Sequence, residues 1–294
     1  MFSFLVPDRR CHADPMFWIT VFFAGLVLLV AIIFFSYLIF ESMPIWEQGV
    51  WAFLTSVEWE PAEDIYGAGA MIYGSFIVTT LALLFALPFA LCGAVTASEF
   101  LSPRTRLVFK GAMEIMAGAP GVVYGLLGAA LLSLWIKDFF GLIDGATLFT
   151  AGILLGIMIL PTIMTLAEDA IHSVPGEYRD TALSLGLTPL QAFLKAVAPR
   201  ALPGVIGAVL LGLGRALGET IAVMLVIGGL DIVPSGFDLF SPGQNIPSKL
   251  GREAAEAIGS GLHWNALLAL GAVLFFGTML LTGAGSWLLR RNKV

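Results

Sequence analysis

The chain has 294 residues, of which 58% are hydrophobic and 12% are charged, and its formal net charge is −6. Soluble domains carry about 25% charged residues, so this composition excludes a fully water-exposed surface and indicates a protein that faces a lipid bilayer. The net negative charge argues against a nucleic-acid partner, because phosphate backbones select basic surfaces.

Six apolar runs are long enough to cross a membrane, which takes about 20 residues. After an N-terminal segment, 1–15, they cover residues 16–40, 70–98, 113–136, 147–167, 201–230 and 264–289. Lipid offers no hydrogen-bond partner to free backbone groups, so each run is predicted to be a helix. The sequence therefore predicts an all-α integral membrane protein with six spans, in which residues 16–294 form a single membrane domain.

Basic residues are distributed unevenly between the two sides of these spans. Eleven lie on one side: Arg9, Arg10, Arg104, Arg106, Lys110, Arg179, Lys195, Arg200, Arg290, Arg291 and Lys293. Three lie on the other: Lys137, Lys249 and Arg252. Because loops rich in Lys and Arg stay in the cytoplasm, both termini and the loop 168–200 are predicted to be cytoplasmic.

Proline and glycine interrupt the third and fourth runs. The third contains Gly118-Ala-Pro120-Gly121, and the fourth contains Pro161. Proline removes an intrahelical hydrogen bond and kinks a helix, and bends of this kind shape cavities in transporters. A kink that serves packing alone is the alternative, and the sequence does not choose between the two.

The cytoplasmic loop 168–200 is predicted to hold two short helices joined by a tight bend. Pro175 favours the start of the first helix and Gly186 favours its end. Residues 188–191 have the spacing of a capping box at the start of the second helix, which Pro199 is expected to end. This helix pair is either a docking element for a partner or a pair that rests on lipid headgroups.

The fifth run, 201–230, combines a small-residue stripe with two charges. Four small residues recur at every fourth position and allow helix backbones to approach closely: Gly204, Ala208, Gly212 and Ala216. Arg215 and Glu219 are also four residues apart, which places them on one helix face where they can pair. The pair is either a neutral pin between helices or part of an anion path, since a planar guanidinium suits an oxyanion.

The sequence carries no pattern for catalysis or for a cofactor. It has no Gly-Lys-Ser or Gly-Lys-Thr, so it cannot bind ATP through a P-loop. Cys11, Cys92 and the three histidines are too scattered for a metal site or a disulfide framework. The external loop 231–263 is rich in proline and glycine and is predicted to contain a short helix at 252–258.

Residues 180–199 resemble the cytoplasmic motif of bacterial ABC importer permeases. That motif is Glu-Ala-Ala, three residues, Gly, nine residues, and then Ile-x-Leu-Pro. Four positions agree, the first with Asp in place of Glu: Asp180, Ala182, Gly186 and Pro199. Three positions depart from the motif: Thr181, Ala196 and Ala198. The resemblance implies that the four matching residues couple the chain to an ATPase subunit.

Longer stretches are similar to the phosphate-specific transport (Pst) permeases, to the PstC type more than to the PstA type. They are Glu58-Trp-Glu-Pro61, Ala119-Pro-Gly-Val-Val-Tyr-Gly125, Ile157-Met-Ile-Leu-Pro-Thr-Ile163 and Gly212-Leu-Gly-Arg-Ala-Leu-Gly-Glu-Thr-Ile-Ala-Val223. The similarity extends over about residues 51–291. It implies a type I ABC importer permease fold in a bacterial inner membrane.

This resemblance also implies a substrate and partners. The chain would form half of the path of an inorganic phosphate importer, with Arg215 and Glu219 as the expected path residues. Its partners would be a PstA-like permease, two cytoplasmic ATPase subunits that hydrolyse ATP and an extracytoplasmic phosphate-binding protein. The alternatives are a permease for another oxyanion, a secondary transporter without an ATPase and a membrane scaffold. The cytoplasmic helix pair favours the ABC importer, and Arg215 with Glu219 favours transport.

Overall fold

The structure is a computed structural model that describes residues 15–291, except for the side chains of Ser235 and of residues 288–291. The predicted N-terminal segment 1–15 lies outside the described residues apart from Pro15, as do the basic side chains predicted at positions 290–293. Within the described range the chain is a bundle of helices, six of which are long and apolar enough to cross a membrane.

The elements of the bundle follow one another in this order: α1 (Pro15–Thr55), β1 (Trp59–Glu60), β2 (Ile65–Tyr66), α2 (Gly69–Glu99), α3 (Pro103–Gly118), α4 (Gly121–Phe140), α5 (Leu148–His172), α6 (Gly176–Ser184), α7 (Pro189–Gly218), α8 (Ile221–Met224), α9 (Ile246–Ala257) and α10 (Leu262–Arg291). The two strands pair antiparallel as a small hairpin. Short π-helical turns lie within α4 at Gly128–Leu132 and within α7 at Phe193–Val197.

The six predicted spans correspond to α1, α2, α4, α5, α7 and α10, which confirms their number. The predicted runs 70–98, 147–167 and 264–289 agree well with α2, α5 and α10. The first run, 16–40, is too short as predicted, because α1 continues to Thr55 across a non-helical backbone at Gly49.

The predicted third span, 113–136, is wrong in its bounds because it crosses a break between two helices. α3 ends at Gly118, and Ala119 is extended with ψ 139° before Pro120 opens the next helix. A proline disfavours helical backbone in the residue before it, which explains the extended Ala119. The spanning helix is therefore α4, and α3 is a separate helix.

The predicted fifth span, 201–230, is also wrong at its C-terminal end. α7 stops at Gly218, Glu219 is extended with ψ 121°, and only the four-residue α8 follows. Beyond α8, Gly228 and Gly229 both have positive φ, so the chain turns there and does not continue as a helix.

The loop 168–200 is more helical than predicted. α5 extends to His172 and α7 begins at Pro189, so Pro199 lies inside α7 and does not end a helix. The preceding π-helical turn already departs from the regular hydrogen-bond pattern, which accommodates a residue without an N–H group. The predicted capping box at residues 188–191 and the helix start after Pro175 are confirmed.

Helix α2 packs along α5, and α5 packs along α7, to form the main core. The predicted small-residue stripe of α7 makes this packing close. A Cβ atom on Gly212 would lie 2.3 Å from Ile163 Cγ1, and one on Gly204 would lie 2.6 Å from Ala170 Cβ. A second core joins α1, the hairpin, α9 and α10. The stripe therefore brings helix backbones together, as predicted.

The two ends of the bundle differ in structure. At the knob end, α6 and the bend 185–188 form a compact knob next to the C-terminus of α2. At the loop end lie the hairpin and α9, whose predicted bounds, 252–258, are too short because α9 starts at Ile246. Asn245 and Ser248 form a capping box there, and both are buried.

Gly74 of α2 generates a test of this packing. It lies against the backbone at the start of α9, where an added Cβ would be 1.9 Å from the carbonyl oxygen of Gln244. Because a backbone atom cannot rotate aside, we expect Gly74→Ala to destabilise the protein by about 1–3 kcal/mol, the usual range for overpacking. Thermal unfolding in detergent measures the change.

Gly277→Ala in α10 is the matched control, because no atom lies within 4 Å of the position of its Cβ. Alanine also favours a helix over glycine, so this control should unfold at the parent temperature or above it. Equal melting temperatures for the two variants would contradict the contact between α2 and α9.

Candidate functional site

Two interrupted helices meet in the structure. The break between α3 and α4 lies beside the break between α7 and α8. A Cβ on Gly121 would be 2.6 Å from Glu219 Oε1, and a Cβ on Gly125 would be 2.8 Å from Ala222 Cα. Glycine at both positions therefore allows the two backbones to touch. Transporters place substrate sites at helix discontinuities of this kind.

Arg215 lies at this junction, on the last turn of α7, and is half-buried. Its Nη1 donates to Thr162 Oγ1 at 2.7 Å, and its Nη2 donates to the Ala117 carbonyl oxygen at 2.8 Å. Thr162 belongs to α5 and Ala117 to the last turn of α3, so one guanidinium joins three helices. The C-terminal carbonyls of a helix have no partner within it and favour a cation.

Glu219 does not pair with Arg215, so the predicted ion pair is wrong. Its extended backbone takes it off the helical face that carries Arg215. Its Oε1 instead accepts a hydrogen bond from the Ala222 N–H at 3.2 Å, at the start of α8. Among residues 15–291, no carboxylate lies within salt-bridge distance of Arg215.

The junction therefore holds a positive charge that no carboxylate of the described chain neutralises. Arg215 uses two of its N–H groups on Thr162 and Ala117, and within residues 15–291 its remaining donors have no hydrogen-bond partner, so they can bind a ligand. The first turn of α4 adds backbone N–H groups, since its N-cap, Pro120, provides no side-chain cap. Hydrogen-bond donors around a fixed positive charge can bind an oxyanion.

The knob contains three of the four residues that the sequence assigns to coupling. Asp180 and Ala182 lie on α6, and Gly186 lies in the bend with φ +80°. Asp180 and Gly186 are exposed, whereas Ala182 is buried. The fourth, Pro199, is exposed on α7, beyond the π-helical turn.

Arg179 connects the knob to the bundle, a contact that no local spacing in the sequence predicts. Its Nη2 lies 2.6 Å from Oε1 of Glu99 at the end of α2, and it also donates to the carbonyls of Ile171 and Val174. The outer surface of the knob and of the start of α7 carries exposed leucines: Leu183, Leu185, Leu190 and Leu194. The knob is thus held firmly to α2 and α5 and presents an apolar surface outward.

A buried carboxylate links α3 to α5 near the knob. Glu168 is 1% exposed, and Arg106 Nη2 lies 2.5 Å from its Oε1. Lys110 lies 3.4 Å from the other carboxylate oxygen and also pairs with Asp169. In the sequence, Arg106 and Lys110 are recognisable only as basic loop residues, because no local spacing connects them with Glu168.

A second charged cluster lies at the loop end. Lys249 is 3% exposed and lies 2.5 Å from both Asp231 and Glu253. Glu253 also accepts hydrogen bonds from Trp59 at 3.0 Å and, with suitable protonation, from His263 at 2.9 Å. The spacing of Lys249 and Glu253, four residues apart, is the sequence signal that could have identified this cluster. It joins α9 to the hairpin and to the start of α10.

Comparison with known proteins gives a consistent result. A family model described as binding-protein-dependent transport system inner membrane component matches residues 90–294. The phosphate transport system permease protein PstC of Pasteurella multocida is 35% identical, over 92% of this chain and 90% of that protein. The probable phosphate transport system permease protein PstC of Methanocaldococcus jannaschii is 31% identical, over 96% and 95%.

Solved structures with the same fold include a bacterial ABC transporter involved in the import of the polysaccharide alginate. It has a TM-score of 0.63 and 15% sequence identity, and the match covers 93% of this chain and 96% of that one. The MetNI methionine ABC transporter in an inward-facing conformation has a TM-score of 0.55 and 17% identity, covering 76% and 94%. At these identities the likeness establishes a shared fold.

The loop-end cluster predicts a pH dependence of stability. Burial raises the pKa of Glu253, but the contacts with Lys249, His263 and Trp59 outweigh burial and leave the pKa below its ordinary value of 4.5. A carboxyl whose pKa is lowered by folding stabilises the fold above its unfolded pKa, and this contribution is lost as the pH falls through the folded pKa. Glu253→Gln should therefore lower the melting temperature at neutral pH, and the difference should narrow below pH 4.5.

Thermal unfolding of the parent and the variant across this pH range measures the difference. The parent must be compared with the variant because burial raises the pKa of Asp231 in the same cluster. A raised carboxyl pKa changes stability with pH in the opposite direction to the lowered pKa of Glu253. Glu256→Gln, at an exposed position of α9, is the control and should change little at any pH. A difference in melting temperature between the parent and Glu253→Gln that stays constant down to acid pH would show that folding does not lower the pKa of Glu253.

Proposed function

Because the chain belongs to the family of binding-protein-dependent transport system inner membrane components, we propose that it is the permease subunit of an ATP-driven importer of inorganic phosphate. It is a multi-pass inner membrane protein with the fold of type I ABC importer permeases. Its relatives named PstC are phosphate transport permeases, and phosphate is the substrate that we assign to this chain.

One observation carries the proposal for the path. Arg215 lies at the junction of two broken helices without a carboxylate partner among residues 15–291. A phosphate ion that enters a medium of low dielectric constant needs a compensating positive charge. Arg215 supplies that charge, and Glu219 lines the same junction from the adjacent break.

The knob is the proposed contact with the partner ATPases. Asp180, Gly186 and Pro199 are exposed there, and the leucines around them provide apolar area for docking. Arg179 would transmit a push on the knob to α2 and α5. In this account ATP hydrolysis belongs to two partner subunits, a PstA-like permease completes the path, and an extracytoplasmic binding protein delivers phosphate.

The knob end is proposed to face the cytoplasm and the loop end the outside. Among the described residues, six basic positions lie at the knob end: Arg104, Arg106, Lys110, Arg179, Lys195 and Arg200. Three lie at the loop end: Lys137, Lys249 and Arg252. This orientation follows the positive-inside rule and places both termini in the cytoplasm. Residues 16–294 then form one permease domain.

Two alternatives are less well supported. Transport of another oxyanion would use the same chemistry at Arg215, but the names of the relatives favour phosphate. A secondary transporter would have no use for a knob that is anchored by Arg179 and covered with exposed leucines.

Replacement of Arg215 tests the anion path. We expect Arg215→Gln to reduce phosphate uptake at least about tenfold, because one charge-assisted interaction with the anion is lost. Assembly of the complex should persist, since glutamine can still donate to Thr162 or to the Ala117 carbonyl. Radiolabelled phosphate uptake, normalised to assembled complex in the membrane, measures the effect.

The double variant Arg215→Gln with Glu219→Gln separates a path residue from a charge that serves only to balance Glu219. If Arg215 meets the anion, removal of both charges leaves uptake low. Near-normal uptake in the double variant would overturn the assignment of Arg215 to the path.

Gly186 tests the coupling surface. Its φ of +80° is strained for any residue with a side chain, so Gly186→Glu should distort the bend and add charge to the docking surface. We expect uptake to fall at least about tenfold, the effect of 1.4 kcal/mol, while the protein stays in the membrane. Co-purification of the ATPase subunit, measured together with uptake, identifies the step that fails.

Gly176→Glu is the matched control for Gly186→Glu. It adds the same side chain to an exposed glycine at the other end of α6, where φ is not positive and no atom crowds the Cβ. Full uptake and normal ATPase co-purification with Gly186→Glu would remove the bend from the coupling surface.

Cysteine labelling tests the orientation. Single cysteines at Glu60 in the hairpin region and at Ser184 in the knob, both exposed, are introduced after Cys11 and Cys92 are replaced by serine. An impermeant maleimide added to intact cells should label position 60 and not position 184. Labelling of position 184 alone would reverse the proposed orientation and place the knob end outside the cell.

A further inference from the structure

Arg215 and Glu219 have different partners in the structure, although their charges are opposite. They carry opposite charges and are four residues apart, and Glu219 is the acidic residue nearest to Arg215 in the sequence. In the structure, however, Arg215 is hydrogen-bonded to α5 and α3, while Glu219 is bonded to the start of α8. The extended backbone of Glu219 turns this residue off the helical face of Arg215, but unlike charges attract strongly where the dielectric constant is low, so the flexible guanidinium must also be held in place.

We propose that Thr162 is a positioning residue that holds Arg215 away from Glu219 and so keeps its charge available to the anion. Thr162 Oγ1 is the side-chain partner of the Arg215 guanidinium, at 2.7 Å. The other partner, the carbonyl of Ala117, belongs to the backbone. The inference rests on the proposed function, since it specifies how the path residue is kept in its working position.

The hydroxyl of Thr162 is used differently from that of Thr165, one turn later on the same helix. Thr165 Oγ1 donates to the carbonyl of Pro161 at 2.9 Å, within its own helix. Such a bond back to the preceding turn is the common arrangement for a helical threonine. Thr162 Oγ1 instead accepts from another helix. Thr162 is therefore the threonine on this turn that is directed at the path residue.

Two hydrogen bonds to different nitrogens fix the guanidinium in the plane that they define. Nη1 is held by Thr162 and Nη2 by the carbonyl of Ala117. If the bond to Thr162 is removed, the guanidinium keeps one partner and can swing about it on a flexible side chain. Glu219, whose Oε1 lines the same junction and accepts from the Ala222 N–H, is then a carboxylate that attracts the freed guanidinium, and an ion pair with it would neutralise the path.

Thr162→Val tests this directly, because valine keeps the shape of threonine and removes the acceptor. We expect phosphate uptake to fall about tenfold, the effect of losing one charge-assisted hydrogen bond. Thr162→Ser keeps the hydroxyl and should recover most of the uptake. Thr165→Val, which removes only hydrogen bonds to the backbone carbonyls of Pro161 and Thr162 within α5, is the matched control and should transport like the parent. Uptake by Thr162→Val equal to that of Thr165→Val would overturn the proposal.

A second-site change distinguishes positioning from packing. In Thr162→Val with Glu219→Gln, the carboxylate that would capture Arg215 is gone, whereas the amide oxygen can still accept from Ala222. Uptake should rise above that of Thr162→Val alone. A packing defect at Thr162 would not be repaired by the removal of the charge at Glu219, and the absence of any recovery would count against the proposal.

Cryo-electron microscopy of the assembled Thr162→Val complex provides a readout that does not depend on transport. The guanidinium should lie within about 4 Å of the Glu219 carboxylate, the distance of an ion pair. A guanidinium that stays on the Ala117 carbonyl and apart from Glu219 would refute the inference. Its failure is distinct from failure of the path itself, because a wrong path would leave Arg215→Gln with normal uptake.

Discussion

A permanent positive charge inside an apolar helix bundle is the constraint on which the rest of the site depends. A charge inside the membrane costs up to about 2.5–3.5 kcal/mol on insertion scales unless polar groups surround it. Arg215 finds these groups in the hydroxyl of Thr162 and in the carbonyl of Ala117. That carbonyl is free because α3 stops at Gly118, so the break in the helix is what solvates the guanidinium. A continuous helix through residues 113–136 would have used the carbonyl in its own backbone.

Helix α5 connects this junction to the knob. Along its length it presents Thr162 to Arg215, Glu168 to the basic residues of α3, and the carbonyl of Ile171 to Arg179 of the knob. All three contacts are polar, and small displacements of the helices can make or break them. The apolar contact between α2 and α5 holds the core together. In the proposed mechanism, a push on the knob would reach the junction at Arg215 through α5. The close packing of Gly212 on Ile163 keeps α7 in register with α5.

Much of this arrangement could be predicted from the sequence. The apolar runs gave the six spans, the small-residue stripe gave the packing of α7, and the spacing of residues 188–191 gave a capping box. Gly118-Ala-Pro120-Gly121 predicted a bend in the third run, but not that the helix ends there, and the end of α7 at Gly218 was missed because the apolar run continues beyond it. The predicted pairing of Arg215 with Glu219 assumed that both residues lie on one helix. In the structure α7 ends at Gly218, one residue before Glu219. The contacts of Thr162, Glu168 and Lys249 depend on tertiary structure, which local spacing does not encode.

A structure of the assembled importer, trapped with phosphate between its inward-facing and outward-facing states, tests the central claim most directly. The account predicts that an oxygen of the phosphate lies within hydrogen-bond distance of the Arg215 guanidinium, about 2.7–2.9 Å for such a charged pair. It also predicts that Glu219 stays unpaired with Arg215 in that state. Phosphate bound elsewhere in the path, with Arg215 fully occupied by Thr162, Ala117 or Glu219, would contradict it.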